Sequence, residues 1–227
     1  REHLSDDFVV LNGDDLYDAK AIEALFGTCP AVGAYAVDDP RPYGVFSLDG
    51  DRVTAVVEKP DDPPSNRVNV GAYHFPAEAA DWLTEVELSE RGEYEITDVV
   101  DQVIDAYDVT AVPVERWLGV GRPWELLEAN EWKLAELDRR IEGEVHERAE
   151  LRGDVVVERG AEVDAGVVIE GPALVRAGAD VGPNAYVRGA TLLAEDVHVG
   201  NGVEVKNSVL MTDTNVPHLS YVGDSVL

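Results

Sequence analysis

The sequence predicts an α/β domain built on a mixed sheet, followed by a parallel β-helix. Three observations predict it. Residues 8–138 alternate short aliphatic runs with amphipathic helical stretches. From residue 145 to 211 a large aliphatic side chain recurs every six positions. Four positions after each of these stands a small or β-branched residue.

The front elements follow from their punctuation. Phe8–Leu11 reads as a buried strand ending at Asn12-Gly13-Asp14-Asp15. Ala19–Phe26 reads as a helix and Val32–Val37 as a strand. Val45–Leu48 and Val53–Val57 flank Asp49-Gly50-Asp51, which is a hairpin signal. Val68–Phe75 is a further strand, Ala77–Glu87 and Ile96–Tyr107 are helices, and Val109–Val114 is a strand. Thr97 or Asp98 is the expected cap of the second of these helices. A long helix is expected over Pro123–Ile141, with Pro in its first turn and Leu126, Leu127, Trp132, Leu134 and Leu137 on its apolar side. The expected division is residues 1–138 for the α/β domain, 139–144 for a linker and 145–227 for the β-helix.

In the repeat, the large row runs Val145, Leu151, Val157, Val163, Ile169, Val175, Val181, Val187, Leu193, Val199, Val205, Met211. The small row runs from Ala149 through Ala161, Ala173, Ala185 and Thr191 to Val209. Neither a helical nor a two-residue period produces this. Each hexad makes one side of a triangular coil, and its narrow interior admits one large and one small apolar side chain. Glycines 160, 166, 178, 182 and 200 suit corners with unusual backbone angles. After Met211 the aliphatic row resumes at Val216 and Val222, one position early, so the coil is expected to be interrupted at Thr212–Asn215.

Composition narrows the class. The formal charge of the 227 residues is −28, which disfavours nucleic acid and anionic membranes as partners. The acidic residues are spread along the chain, a pattern expected of a protein adapted to high salt, where the screening length falls to about 3 Å at 1 M. No apolar run approaches the length of a membrane span. Residues are expected to precede Arg1 and to follow Leu227. The single cysteine, Cys29, excludes an internal disulfide and fits a reducing cytoplasm. It reads as a small packing residue, and His3, His74, His146 and His198 read as structural or exposed.

Several short motifs suggest chemistry. Asp14, just past a buried strand and a glycine, could hold Mg²⁺ through oxygen. Gly44 would let the backbone approach a ligand, and Lys59 at a strand end could neutralise phosphate. Asn69 and Gly71 would present an amide to hydroxyl groups.

Taken in order, Asn12-Gly13-Asp14, Tyr43-Gly44, Glu58-Lys59-Pro60, Asn69-Val70-Gly71, Glu93–Asp98 and Gly121–Leu127 resemble the motifs of the sugar-1-phosphate nucleotidylyltransferases. The resemblance implies Mg²⁺ on Asp14, the sugar phosphate on Lys59, and sugar hydroxyls on Glu58 and Asn69. Its nucleotide-binding loop would lie before Arg1. Gly119 stands where many members carry a second metal-binding Asp. The back half resembles the acetyltransferase half of the bifunctional enzymes that make UDP-N-acetylglucosamine, through Val199–Asn207 and Pro217–Asp224. That likeness implies a left-handed coil, a homotrimer and acetyl-CoA as co-substrate. It also implies Arg188 and Lys206 on the phosphate of glucosamine 1-phosphate, Tyr221 bonding the same phosphate, and His218 as general base. The implied substrates are sugar phosphates and a nucleoside triphosphate. Two alternatives remain at this stage. One is a glucose-1-phosphate thymidylyl- or uridylyltransferase with a structural β-helix; the other is a non-catalytic scaffold or regulatory homologue.

Overall fold

A computed structural model describes residues 5–89, 92 and 94–227; His3 and Glu93 lie outside the described residues. It divides into two compact units, Arg1–Gly119 and Val120–Leu227. In chain order the first holds β1 (Phe8–Leu11), β2 (Asp15–Tyr17), α1 (Ala19–Phe26), β3 (Ala31–Ala36), β4 (Gly44–Asp49), β5 (Arg52–Glu58), β6 (Arg67–Phe75), α2 (Ala79–Trp82), α3 (Ile96–Ala106), β7 (Val109–Pro113) and β8 (Trp117–Gly119).

The main sheet has the order β1-β6-β3-β7-β5-β4 and is mixed, since β3 runs parallel to β7 and antiparallel to β6. Alternation along β6 serves two cores. Val68, Val70 and Ala72 join a cluster with Ala21 and Leu25 of α1. Tyr73 and Phe75 join another with Val99, Val100 and Val103 of α3. The helix α1 is capped by Asp18, whose Oδ1 accepts from Ala21 N at 2.8 Å. Helix α3 differs from expectation at its start: Glu95 holds the cap position, without a side-chain capping bond, and neither Thr97 nor Asp98 does. Helix α2 is four residues long rather than the expected span to Glu87.

In the second unit α4 spans Glu125–Leu134, shorter than the helix expected over Pro123–Ile141. The reason is that Arg140–Ile141 already pairs in parallel with Val156–Val157 as the first strand of the coil. The interval expected to be a linker, 139–144, therefore contributes to the β-helix, while α4 packs on it through Asn130, whose Nδ2 donates to Ala190 O at 2.9 Å. The β-helix is three five-stranded parallel sheets. Its inward row, Val163, Ile169, Val175, Val181, Val187, Leu193, Val199 and Val205, is buried in one continuous cluster with the small row between.

The end of that row differs from the expected one. Leu193 pairs with Leu210, 17 positions on, whereas Val175 pairs with Leu193, 18 positions on. Leu210 is fully buried, and Met211 is 47% exposed. Ser208 is also fully buried, at the small position expected for Val209. The missing residue thus falls in the corner between Lys206 and Val209, not at Thr212–Asn215. Sequence reasoning missed it because Leu210 and Met211 are both apolar. Among the corner glycines, 160, 166 and 178 have positive φ, but 182 and 200 do not. Gly200 is small for lack of room: a Cβ there would stand 2.6 Å from His218 N in the next coil.

Candidate functional site

The chain brings the front motifs together around the carboxyl end of β1. There Asn12 N donates to Gly71 O at 2.9 Å, tying the turn to β6. Asp14 is exposed. Asp15, which sequence reasoning passed over, is half-buried and held from several sides. Asn12 Nδ2 donates to its Oδ2 at 3.1 Å and Tyr17 OH at 3.2 Å. Burial raises the Asp15 carboxyl above its ordinary range against those two hydrogen bonds and a pull from the Trp117 indole, and the charge of Asp14 raises it further. Trp117 Nε1 is itself buried with no partner at ordinary hydrogen-bond distance among the described residues. Strands β2 and β8 place Asp15 directly opposite Gly119, where a Cβ would meet Asp15 Oδ1 at 3.0 Å. Asp15 thus borders the space that a side chain at 119 would use.

From Asp15 hydrogen bonds continue across β6. Tyr17 OH shares its single hydrogen with Val70 O, 2.7 Å away. Burial first, then Asp15, holds that phenol protonated. Asn69 Oδ1 accepts from Gly71 N at 3.0 Å, and its Nδ2 donates to Tyr73 OH at 2.8 Å. Burial pushes the Tyr73 phenol up to about 12, with Glu58 and Asp15 adding to the effect. Gly44 pairs with Glu58 across β4 and β5, and a Cβ on Gly44 would lie 2.9 Å from Glu58 Oε2 and 3.5 Å from Asn69 Cβ. Lys59 follows, with Nζ 3.8 Å from Glu58 Oε1. The structure therefore joins Gly44, Glu58, Lys59 and Asn69 in one patch that Tyr17, Tyr73 and Gly71 connect to Asp14 and Asp15.

On the β-helix, Arg188 and Lys206 are lateral partners on one face, with Tyr221 opposite Glu204 on the same face. Arg188 Nε bonds Glu204 Oε1 at 2.8 Å, and that carboxylate holds the guanidinium charged. Lys206 Nζ meets Asp224 Oδ2 at 3.0 Å, and Asp224 Oδ1 accepts from Asn207 Nδ2 at 2.7 Å. Those donors, Asn207 first, keep the Asp224 carboxyl below its usual range. His218 lies on the neighbouring corner, lining a cavity of about 470 Å³ with Asp180, His198, Asn201 and Asn215. Three of the four predicted residues thus share a face, and His218 adjoins it rather than touching the cations.

Backbone strain marks both places. Among the described residues, the non-glycine positions at positive φ are Asn or Asp, except Lys59 at 44° and Leu219 at 56°. Asn and Asp tolerate that region and Lys and Leu do not, so these two conformations are held by their surroundings. Lys59 N is bonded to Tyr43 O at 3.0 Å, and Leu219 N to Asn201 O at 2.9 Å.

The family model described as "Nucleotidyl transferase" matches residues 2–136. The "Bifunctional protein GlmU" of Methanocaldococcus jannaschii is 40% identical over 229 residues, covering 100% of this chain and 56% of that protein. The "Bifunctional sugar-1-phosphate nucleotidylyltransferase/acetyltransferase" of Sulfurisphaera tokodaii is 38% identical over 201 residues, covering 87% of this chain and 50% of that one. The chain spans about half the length of the curated relatives it matches. With a family match across most of the first unit and relatives of this likeness along both, the chain belongs to the nucleotidyl transferase family.

Proposed function

We propose that this chain is part of a bifunctional enzyme that joins UTP and N-acetylglucosamine 1-phosphate into UDP-N-acetylglucosamine and diphosphate. Its β-helix then serves the acetyl-CoA-dependent N-acetylation of glucosamine 1-phosphate. The observation that carries the first activity is the chain of hydrogen bonds that runs from Asp15, next to Asp14, through Tyr17 and Gly71 to Asn69, beside Gly44, Glu58 and Lys59. The oxygen donors at its near end suit Mg²⁺, a hard cation, and the raised Asp15 carboxyl is one that a nearby cation would relieve. When bound, Mg²⁺ neutralises phosphate charge. Asp14 and Asp15 would hold it. Asn69 and Glu58 would hold sugar hydroxyls, and Gly44 would leave room for the sugar. Lys59 would fix the sugar phosphate, whose oxygen attacks the nucleotide α-phosphorus as diphosphate leaves. Positioning and charge neutralisation do most of the catalytic work.

The second activity rests on Arg188, Lys206 and Tyr221 sharing a face beside His218. A bidentate Arg with a Lys suits a phosphate, which would displace Glu204 and Asp224 from them. His218 would take the proton of the sugar amine as it attacks the thioester carbonyl, and would return a proton to the sulfur as the carbon–sulfur bond breaks and coenzyme A leaves as the thiol. Exposed Met211, Leu219 and Tyr221 on the β-helix suit assembly as a homotrimer, and a cytoplasmic location fits the substrates. The test is a pair of assays on the full-length protein. Diphosphate release from UTP and N-acetylglucosamine 1-phosphate should fall at least about 100-fold in Lys59→Ala, and acetyl-CoA consumption with glucosamine 1-phosphate should fall as far in His218→Ala. Wild-type protein inactive in either assay would remove that half of the reading.

A further inference from the structure

Outside these surfaces, three ligand-forming side chains from distant parts of the sequence meet at the opposite end of β1. Asp7 immediately precedes β1, His74 lies near the end of β6, and Cys29 stands two residues before β3. Pairing brings them together, since Val9 and Ala31 are both partners of His74. One ligand atom from each lies within 4.8 Å of the other two.

The state of His74 points to a ligand. The residue is 7% exposed. Its Nδ1 lies 2.9 Å from both Leu25 O and Thr28 O. Carbonyl oxygens only accept, so Nδ1 carries the hydrogen and Nε2 keeps its lone pair in the neutral ring. Nε2 faces Asp7 Oδ2 at 3.7 Å, beyond hydrogen-bond reach. A buried imidazole is thus oriented by a backbone-bound Nδ1–H, with its other nitrogen turned toward a thiol and a carboxylate and given no hydrogen bond among the described residues. This is how histidine is held when it ligates a metal.

We propose that Cys29 Sγ, His74 Nε2 and an Asp7 carboxylate oxygen form a zinc-binding site, with a water completing four-coordination. One sulfur, one nitrogen and one oxygen donor suit zinc and not magnesium. Arms of about 2.0–2.3 Å in a tetrahedron place donors about 3.3–3.8 Å apart. The Nε2–Oδ2 separation of 3.7 Å is a few tenths of an ångström wider than a nitrogen–oxygen pair needs, and the rest of the cluster needs to contract by about an ångström at most. Asp7 and Cys29 are exposed, so the ion can enter from solvent. A thiol binds zinc as its thiolate. Binding therefore exchanges the thiol proton for a sulfur–zinc bond and releases that proton to solvent. The site would clip the edge strand β1 to β6 and to the loop entering β3.

Cobalt(II) titration of this 227-residue chain tests this, because Cys29 is its single cysteine. A thiolate-to-cobalt charge-transfer band can then arise only from Cys29, and cobalt held by Asp14 and Asp15 gives none. The expected result is a one-to-one band that zinc abolishes by competition, that is absent in Cys29→Ser, and whose cobalt affinity falls about 100-fold in His74→Gln and Asp7→Asn. Far-UV circular dichroism shows whether His74→Gln is folded. If it is not, Asp7→Asn, at an exposed position, decides. No band in wild type, or a band indifferent to Asp7 and His74, overturns the proposal.

Discussion

Replacing Leu210 and Met211 in turn with alanine tests where the coil loses its residue. Leu210 is fully buried against the row that includes Leu193, and Met211 is 47% exposed. Leu210→Ala removes three carbons at about 0.8 kcal/mol each, or about 2.4 kcal/mol. The cavity left in a narrow, stacked interior adds to this, giving about 3 kcal/mol within the usual range of about 2–5. Met211→Ala should cost about 0.5 kcal/mol or less. The assay is urea unfolding followed by circular dichroism. Because a solenoid can melt in parts, the midpoint of the transition that reports the β-helix is compared between variants, not a global value. If Met211→Ala costs as much as Leu210→Ala, the six-residue row runs through 211 and the interruption lies at Thr212–Asn215. The location matters for function. The shortened corner follows Lys206 and contains Asn207, both fastened to Asp224, so the residue lost there helps set where a proposed phosphate-binding cation sits.

Two further perturbations probe the front site. Gly71→Ala places a Cβ at φ +67°, about 2.0 Å from Asn12 Nδ2. The left-handed strain costs about 1–2 kcal/mol, and Asn12 must leave Asp15, so the proposed nucleotidyl transfer, assayed in the full-length protein, should fall about 10–100-fold; wild-type stability and rate in this variant would show that the Asn12 contact is dispensable. Asp18→Ala removes the α1 cap and the Oδ2 acceptor of Glu115 N at 3.0 Å and Arg116 N at 3.2 Å. Burial raises the Asp18 carboxyl, but those backbone donors and Ala21 N outweigh it and leave the folded-state pKa below the ordinary value. Its contribution, about 1–2 kcal/mol near neutral pH, is therefore present above the ordinary carboxylate range and lost as pH falls through the lowered folded value. Thermal unfolding of wild type and variant should converge in acid, and a gap unchanged between neutral pH and pH 3 would refute the assignment.

How far a residue's role was legible depended on where its partners lie in sequence. The hexad row was legible because each large residue's neighbour above is one fixed coil away, and the period repeats that fact many times. The missing residue was placed wrongly because two adjacent apolar residues, Leu210 and Met211, satisfy the same local rule, and only the pairing with Leu193 separates them. The spans of α1 and of the Val45–Val57 hairpin were legible from their own turns and periodicity. The overlong final helix was not, because Arg140–Ile141 is extended by strand pairing with Val156–Val157, a contact that no local pattern announces.

The sites divide in the same way. Asp14, Gly44, Glu58, Lys59 and Asn69 stood out as short strings, yet the carboxyl beside them that burial raises is that of Asp15. Its environment is made by β2 and β8, two three-residue strands about 100 positions apart that no periodicity reveals. In sequence Cys29 reads as a packing residue, because no histidine-plus-carboxylate signature accompanies it; the structure leaves it exposed, beside Asp7 and His74. Backbone conformation supplies a guide that sequence lacks. Lys59 and Leu219 occupy a region their side chains disfavour, one beside Glu58 and the other beside His218. A fold selected for stability alone would relieve such positions with Gly or Asn, so their persistence favours the readings in which Lys59 and His218 must be held in place.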